Sequence, residues 1–383
     1  MATYDCLILG GGVIGMSLAY ELACQGQRIG VVDRGVIGGE ASWAGAGILP
    51  PAAAHPAAPA EEQLRALANT LHAQWTQQLL EETGIDNGYR VCGGLYLDHQ
   101  PNGGAALESL ATQWRTQGIR VQQVPGLDLA NLEPALASQH PDSPLAALYL
   151  PDEAQLRNPR HLKALFSACV RRGVTVHEAT EVHDFVVRGR RVHAARTALG
   201  SLAADQFCLA SGAWTGALAT RLGCRLLVKP IRGQIALLQT EPGRLNHVVN
   251  EGRSYLVPRP DGRILVGSTE EDAGFDKRPT AAGIAGLLDF ALQLAPTLTT
   301  ARLERTWAGL RPGSADGLPY LGAIPDLDNA FVAAGHFRSG LQLSTATAVV
   351  IGQLIRGQET DLDLAPFTPT RSAHPAPHLQ PAR

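Results

Sequence analysis

The stretch Gly10-Gly11-Gly12-Val13-Ile14-Gly15 decides how this chain folds at its start. Its glycines follow the spacing G-x-G-x-x-G. The first permits a tight turn, the second lets backbone approach a pyrophosphate, and the third lets a helix pack against a strand. The flanks agree. Cys6 to Leu9 is a short apolar run that stops at glycine, the pattern of a buried parallel strand. Val13 to Cys24 carries apolar residues at Ile14, Leu18, Leu22 and Ala23, a helical spacing, and Gly26 ends it. Ile29 to Val32 reads as the next strand. It delivers Asp33, 18 residues past Gly15, where a carboxylate can accept from ribose hydroxyls. This is a β-α-β unit of about 30 residues, with a helix N-terminus that offers free N–H groups to phosphate. A plain turn would not need so many glycines at a helix start, since each carries an entropic penalty. The unit predicts an α/β dinucleotide-binding fold and does not by itself choose between NAD and FAD.

Further along, Glu40 to Leu49 is rich in Gly, Ala and Ser, and Pro50 to Ala60 is an Ala/Pro loop. Glu61 to Thr83 predicts a long helix, Arg90 to Asp98 a strand pair, Leu107 to Gln117 a helix and Leu145 to Leu150 a strand. Asn158-Pro159 reads as a helix start, with Asn as N-cap and Pro at the first helical position. That helix runs to about Arg172, where Gly173 closes it. Val174 to His177 and Phe207 to Leu209 read as strands. Gln234 to Leu238, Tyr255 to Pro258 and Ile264 to Gly267 are strands joined by turns without helices, which belongs to an antiparallel sheet. The parallel-type units therefore flank a stretch of different character. We expect one domain from 1–85, 145–225 and 305–365, interleaved with a second from 86–144 and 226–304. Pro366 to Arg383, rich in Pro, His and Ala, is expected to be a disordered tail.

The bulk properties exclude several functions. The formal net charge of the 383 residues is -3 and no basic stripe appears, so nucleic acid is not an expected partner. No apolar run approaches the ~18 residues that span a bilayer, so no membrane partner is expected either. The first residues lack the basic region of a signal peptide. Six cysteines without a Cys-x-x-Cys pair fit reduced thiols in a cytoplasmic protein. The twelve histidines show no metal-ligand spacing, and no metal is expected.

At Glu40-Ala-Ser-Trp-Ala-Gly-Ala-Gly-Ile-Leu-Pro-Pro51 the sequence begins to resemble one family. It is similar to the FAD-dependent D-amino-acid oxidase superfamily, most of all to glycine oxidase of thiamine biosynthesis. Pro230-Ile-Arg-Gly-Gln234, Tyr255-Leu-Val-Pro-Arg259, Gly267-Ser-Thr-Glu-Glu-Asp272, Gly309-Leu-Arg-Pro-Gly313 and Gly335-His-Phe-Arg-Ser-Gly340 continue it in family order. Asp33 departs from it, since these flavoproteins more often carry Glu there. The resemblance implies an FAD-binding domain of glutathione-reductase type, Rossmann-like, beside a substrate domain on an antiparallel sheet, α/β in class and α+β overall. It implies non-covalent FAD, because the last cysteine is Cys224 and a late tethering cysteine is lacking. By resemblance the cofactor is held by Gly10, Gly12, Val13, Ile14, Gly15, Asp33, Arg34, Ser42, Ala44, Gly45, Val182, Gly212 and Trp214. Arg311, His336, Arg338, Ser339, Gly340 and Leu341 complete that set. Small residues in the Glu40 to Leu49 loop let backbone N–H groups approach a cofactor.

An amino acid substrate needs a cation for its carboxylate. Arg311 is the best candidate, read as sitting where a strand gives way to the Pro312-Gly313 turn, because guanidinium offers a bidentate fork. Tyr255 is a second donor by resemblance. Arg338 either meets substrate or holds its own loop by bonding backbone. The helix expected from Leu341 to Leu354 would aim its N-terminus at the flavin's pyrimidine edge and stabilise the anion formed on reduction. The implied reaction passes hydride from the substrate α-carbon to flavin N5. Oxygen then reoxidises the flavin to give peroxide, and the imine gives glyoxylate and ammonia or passes to thiazole synthesis. A sarcosine oxidase, a D-amino-acid dehydrogenase using another electron acceptor, and a non-catalytic FAD-binding partner protein are the competing readings. Glu270, Glu271 and Asp272 read either as a solvated loop or as acids that tune the pocket toward an amine. A homotetramer is what the family suggests.

Overall fold

A computed structural model describes residues 4–55, 57–98, 103–136 and 146–371. Its first sheet is 8-stranded and is centred on Tyr4–Leu9. Ile29–Val32 and Gly200–Leu209 flank that strand, both parallel to it. Thr175–His177 extends the parallel run on one side, and Ala330–Ala334 extends it beyond the end of Gly200–Leu209 on the other. The apolar strand sequences suit this arrangement, since helices cover a parallel sheet and both faces are buried. The helices Val13–Cys24, Ala60–Thr83, Asn158–Arg171 and Gly340–Ile355 supply a cluster with Ile8, Met16, Leu79, Leu165 and Ile351 at its centre. Val182–Arg188 and Arg191–Thr197 join the start of Gly200–Leu209 in an antiparallel meander. Only the end of that last strand was legible in the sequence.

The second sheet is also 8-stranded. Its order is Arg302–Ser314, Val228–Gln239, Arg263–Gly267, Ser254–Pro258, Val248–Glu251, Gly94–Asp98, Ala146–Leu150 and Gln122–Val124. Every pairing is antiparallel except that of Val248–Glu251 with Gly94–Asp98. One face packs on the helix Ala281–Leu294 through Leu238, Leu256, Val266, Leu287 and Ala291.

Several expectations are corrected. Ala146–Leu150 and residues 305–314 of the strand Arg302–Ser314 fall within the segments expected for the cofactor domain, yet both strands pair within the second sheet. Arg311 does not precede a turn. It lies inside a 13-residue strand whose Pro312 faces Pro230 of the partner strand, so neither position leaves an N–H unmatched. Asn158 is the first helical residue, not the cap. The expected disordered tail fails over 366–371. Phe367 is fully buried, and Arg371 pairs with Asp316 at 2.7 Å while lying 3.8 Å over the Tyr320 ring. The remainder of that tail, 372–383, lies outside the described residues, as does Leu145. No helix among the described residues is long and apolar enough to cross a membrane.

Candidate active site

The site is a cavity of about 560 Å³ where the ends of the parallel strands meet the second sheet. Gly10 closes the first strand at φ +115°, and a Cβ there would sit 2.4 Å from the Ala210 carbonyl oxygen. Only glycine fits such a turn. Gly12 begins the helix, and Ser42 Oγ accepts from the Val13 amide at 2.9 Å. The Asp33 carboxylate lines the cavity and also braces the turn, accepting from the Gly11 amide at 2.7 Å and the Gly35 amide at 2.8 Å. Gly10, Gly12, Val13, Ile14, Asp33 and Arg34 all line the cavity. Gly15 does not. A Cβ on it would stand 1.9 Å from the Gly10 carbonyl oxygen, so its part is to let the helix close onto the turn.

The Glu40 to Leu49 loop contains a short helix, Ala41–Ala44, and its carbonyls are held from behind. Asn158 Nδ2 donates to Ser42 at 2.8 Å, Trp307 Nε1 to Ala44 at 3.0 Å, and Arg259 to Ala46 at 2.6 Å. Arg259 also donates to Gln155 and Leu156, and burial draws its guanidinium down to about 9. These anchors fix the backbone that Ser42, Ala44 and Gly45 present to the cavity. Val182 and Gly212 line it beside Trp214, over whose ring the Arg34 guanidinium lies at 3.6 Å.

The helix Gly340–Ile355 directs its first residues at the same space: His336, Arg338, Ser339, Gly340, Leu341 and Gln342 line it. His336 is buried against Thr347 Oγ1 at 3.1 Å, and burial pushes its imidazole down to about 3, so it is neutral near neutral pH. Positive character here comes from the helix end and from Arg338, not from a histidinium.

Arg311, Tyr255 and Arg338 gather at one end. Arg311 donates to the Thr269 carbonyl at 3.0 Å and to Ser268 Oγ at 2.6 Å. Burial is the main cause holding its guanidinium below the ordinary arginine range; Tyr255 and Glu270 oppose that shift and Arg338 adds to it. Bare backbone at Gly233 lies beneath it, since a Cβ there would be 2.3 Å from its nitrogens. Arg338 holds its loop by bonding backbone, donating to the Arg253 carbonyl at 3.0 Å, and also faces the cavity. The acidic run is not a solvated loop. Glu270 pairs with Arg253 at 3.2 Å and Arg338 at 3.5 Å, and Glu271 pairs with the buried Arg232. Asp272 is the exposed member, 3.4 Å from Lys229.

Sequence reasoning missed Asn250, Gln342 and Arg65, which also line the cavity. Arg65 donates to Gln342 Oε1 at 2.6 Å from a helix far away in sequence. No local pattern marks such residues. Among the described residues no cluster of His, Cys, Asp and Glu could hold a metal ion.

The lining fits FAD: a glycine turn that a Cβ would fill, a helix N-terminus on either side, and a long cavity joining them. Fold and site thus define a flavin-dependent oxidoreductase. The chain belongs to the FAD dependent oxidoreductase (DAO) family, whose model matches residues 5–354, and FAD is its cofactor. It is 36% identical to glycine oxidase of Pseudomonas aeruginosa over 95% of this chain and 98% of that one. It is 34% identical to the bifunctional protein ThiO/ThiG of Synechocystis, covering 96% of this chain and 54% of that protein. The crystal structure of glycine oxidase from Geobacillus kaustophilus superposes with a TM-score of 0.91 at 34% identity, covering 96% of this chain and 99% of that one. The resemblance drawn from the motifs is borne out.

Proposed function

We propose that this enzyme oxidises glycine, together with small amines or D-amino acids, and that the imine product feeds thiazole formation in thiamine biosynthesis. The observation that carries the reading is the half-buried Arg311, held beside Tyr255 at one end of the cofactor cavity. A guanidinium binds a carboxylate with a charge-assisted fork. Its donors to Thr269 and Ser268 hold it in one pose before substrate arrives. Tyr255 adds a hydroxyl donor, and Arg338 a second cation partly offset by Glu270. Together these orient a small amino acid by its carboxylate, which brings its α-carbon into a defined place. When bound, FAD supplies the two-electron acceptor at N5 and passes those electrons on to dioxygen as peroxide. The amine must be unprotonated for its nitrogen lone pair to assist. The names of the similar proteins support glycine as substrate and a role in thiamine biosynthesis. The same reading takes the enzyme as cytoplasmic, with all six cysteines free, and as a homo-oligomer.

The test mixes the yellow protein with glycine, sarcosine and D-alanine, following bleaching without air and peroxide with air. No bleaching by any of them sinks the reading. Bleaching without peroxide favours a dehydrogenase with another acceptor.

A further inference from the structure

Asn250 stands directly opposite Tyr255 on the neighbouring strand, and Tyr96 stands opposite Asn250 on the strand beyond. Partners across strands project from the same face. Tyr96, Asn250 and Tyr255 therefore form one row, and Asn250 and Tyr255 both line the cavity. Against this row lies Glu153, with no exposed surface. Its carboxylate accepts from the Tyr96 hydroxyl at 2.6 Å and from Asn250 Nδ2 at 3.2 Å. Gly94 makes room for it, since a Cβ there would be 2.4 Å from the carboxyl carbon.

An ionised carboxylate only accepts hydrogen bonds, so in that form Glu153, which takes both the Tyr96 hydroxyl and Asn250 Nδ2, fixes which way the Asn250 amide is turned. Nδ2 is committed to Glu153. Oδ1 is left as an acceptor on a cavity-lining side chain, with no donor to it among the described residues. The neighbouring side chains are of the other kind. Arg311 and Arg338 offer only donors, and the Tyr255 hydroxyl lies close enough to Arg311 to feel its charge. They suit a carboxylate. A substrate amine brings N–H donors and needs an acceptor, and a buried donor left unmet costs binding energy.

We propose that Asn250 Oδ1 receives an N–H of the substrate amine while Arg311 and Tyr255 hold its carboxylate, and that Glu153 is a positioning residue that sets the Asn250 amide. The proposal rests on the amino acid reading above. It makes a two-point site in which the carboxylate and the nitrogen are recognised by separate groups, so the molecule cannot pivot about its carboxylate.

The experiment uses FAD-loaded full chain as wild type, Asn250→Leu and Glu153→Gln. Glycine affinity is read from anaerobic bleaching, and acetate affinity, a carboxylate without the amine, from the flavin absorbance shift. Asn250→Leu is expected to weaken glycine about 10- to 100-fold, the range of a hydrogen bond to a charged or strongly polar group. Acetate should stay within about 2-fold, the precision such a comparison allows. Glu153→Gln should weaken glycine in the same direction by a smaller factor and leave acetate alone. Equal loss of both ligands in Asn250→Leu, or no loss of glycine, overturns the proposal. Should Asn250→Leu fail to hold FAD, Asn250→Ser, which is too short to reach, is scored in the same way. If wild type is not bleached by glycine, the glycine reading fails, and the comparison is repeated with whichever of sarcosine or D-alanine bleaches it. If none does, both fall.

Discussion

Gly267 faces Tyr255 across two adjacent strands, and a Cβ on Gly267 would sit 2.4 Å from the Tyr255 ring. The ring thus lies over bare backbone, which lets its hydroxyl reach towards Arg311. Gly267→Ala should push the ring away. We expect a stability loss of about 1–3 kcal/mol, the usual cost of overpacking. FAD should remain bound and the substrate KM should rise. Denaturant unfolding and steady-state kinetics check this; an unchanged KM would remove Tyr255 from the site.

Arg311 makes no contact that the cofactor cradle at Gly10 and Gly12 depends on. Arg311→Ala should therefore leave FAD bound and raise the substrate KM by about 100-fold, since a charge-assisted bond lost from a buried site is worth about 1.5–3 kcal/mol. Arg311→Lys should recover only part of this, because an ammonium cannot reproduce the planar fork. Flavin content and KM for both variants decide it. Unchanged kinetics in the alanine variant would place the carboxylate elsewhere.

Glu153 ties stability to pH. Burial is the main cause that raises its carboxyl to about 7 from the ordinary glutamate value of 4.5, with the Tyr96 and Asn250 hydrogen bonds opposing. The Tyr96 hydroxyl, which donates to it, and the Cys92 thiol, both raised by burial, are titratable groups beside it. Between about pH 4.5 and 7 the unfolded chain has released this proton while the folded chain keeps it. Glu153 therefore contributes stability that is complete below the unfolded value and is lost as pH rises towards 7, on the order of 3 kcal/mol. Glu153→Gln should flatten that decline. Unfolding measured at pH 5 and pH 8 reads the difference; parallel slopes in wild type and variant would refute it.

Phe367 is fully buried in the core shared by the helices Val13–Cys24 and Gly340–Ile355. Phe367→Ala should cost about 3–5 kcal/mol, as large aromatic truncations in cores do. Arg371 is largely buried, pairs with Asp316 and covers Tyr320, so its removal should also destabilise. Chemical denaturation tests both. A loss under 1 kcal/mol for Phe367→Ala would mean that this segment is not docked in solution.

Much of the cofactor half was legible because its signals are local. The Gly10 to Gly15 spacing, the apolar period of Val13 to Cys24 and the glycine-bounded entry to the last helix each depend on neighbours a few residues away. The sequence alone therefore determined a dinucleotide turn and the order of the β-α-β unit, and through family motifs it raised the expectation that Arg311, Tyr255 and Arg338 form the substrate end. Tertiary structure decided the rest. Pro312-Gly313 reads as a turn, but pairing with Val228–Gln239 carries the strand through it, since a facing proline removes the need for a donor. Asn158 reads as a cap, but the carbonyl of Ser42 takes its amide. Gly15 matches the motif and serves only packing. Glu153, Tyr96 and Asn250 come from three strands or turns that meet only in the sheet. The meaning of such residues lies in long-range hydrogen bonds and close approaches, which no periodicity along the chain encodes.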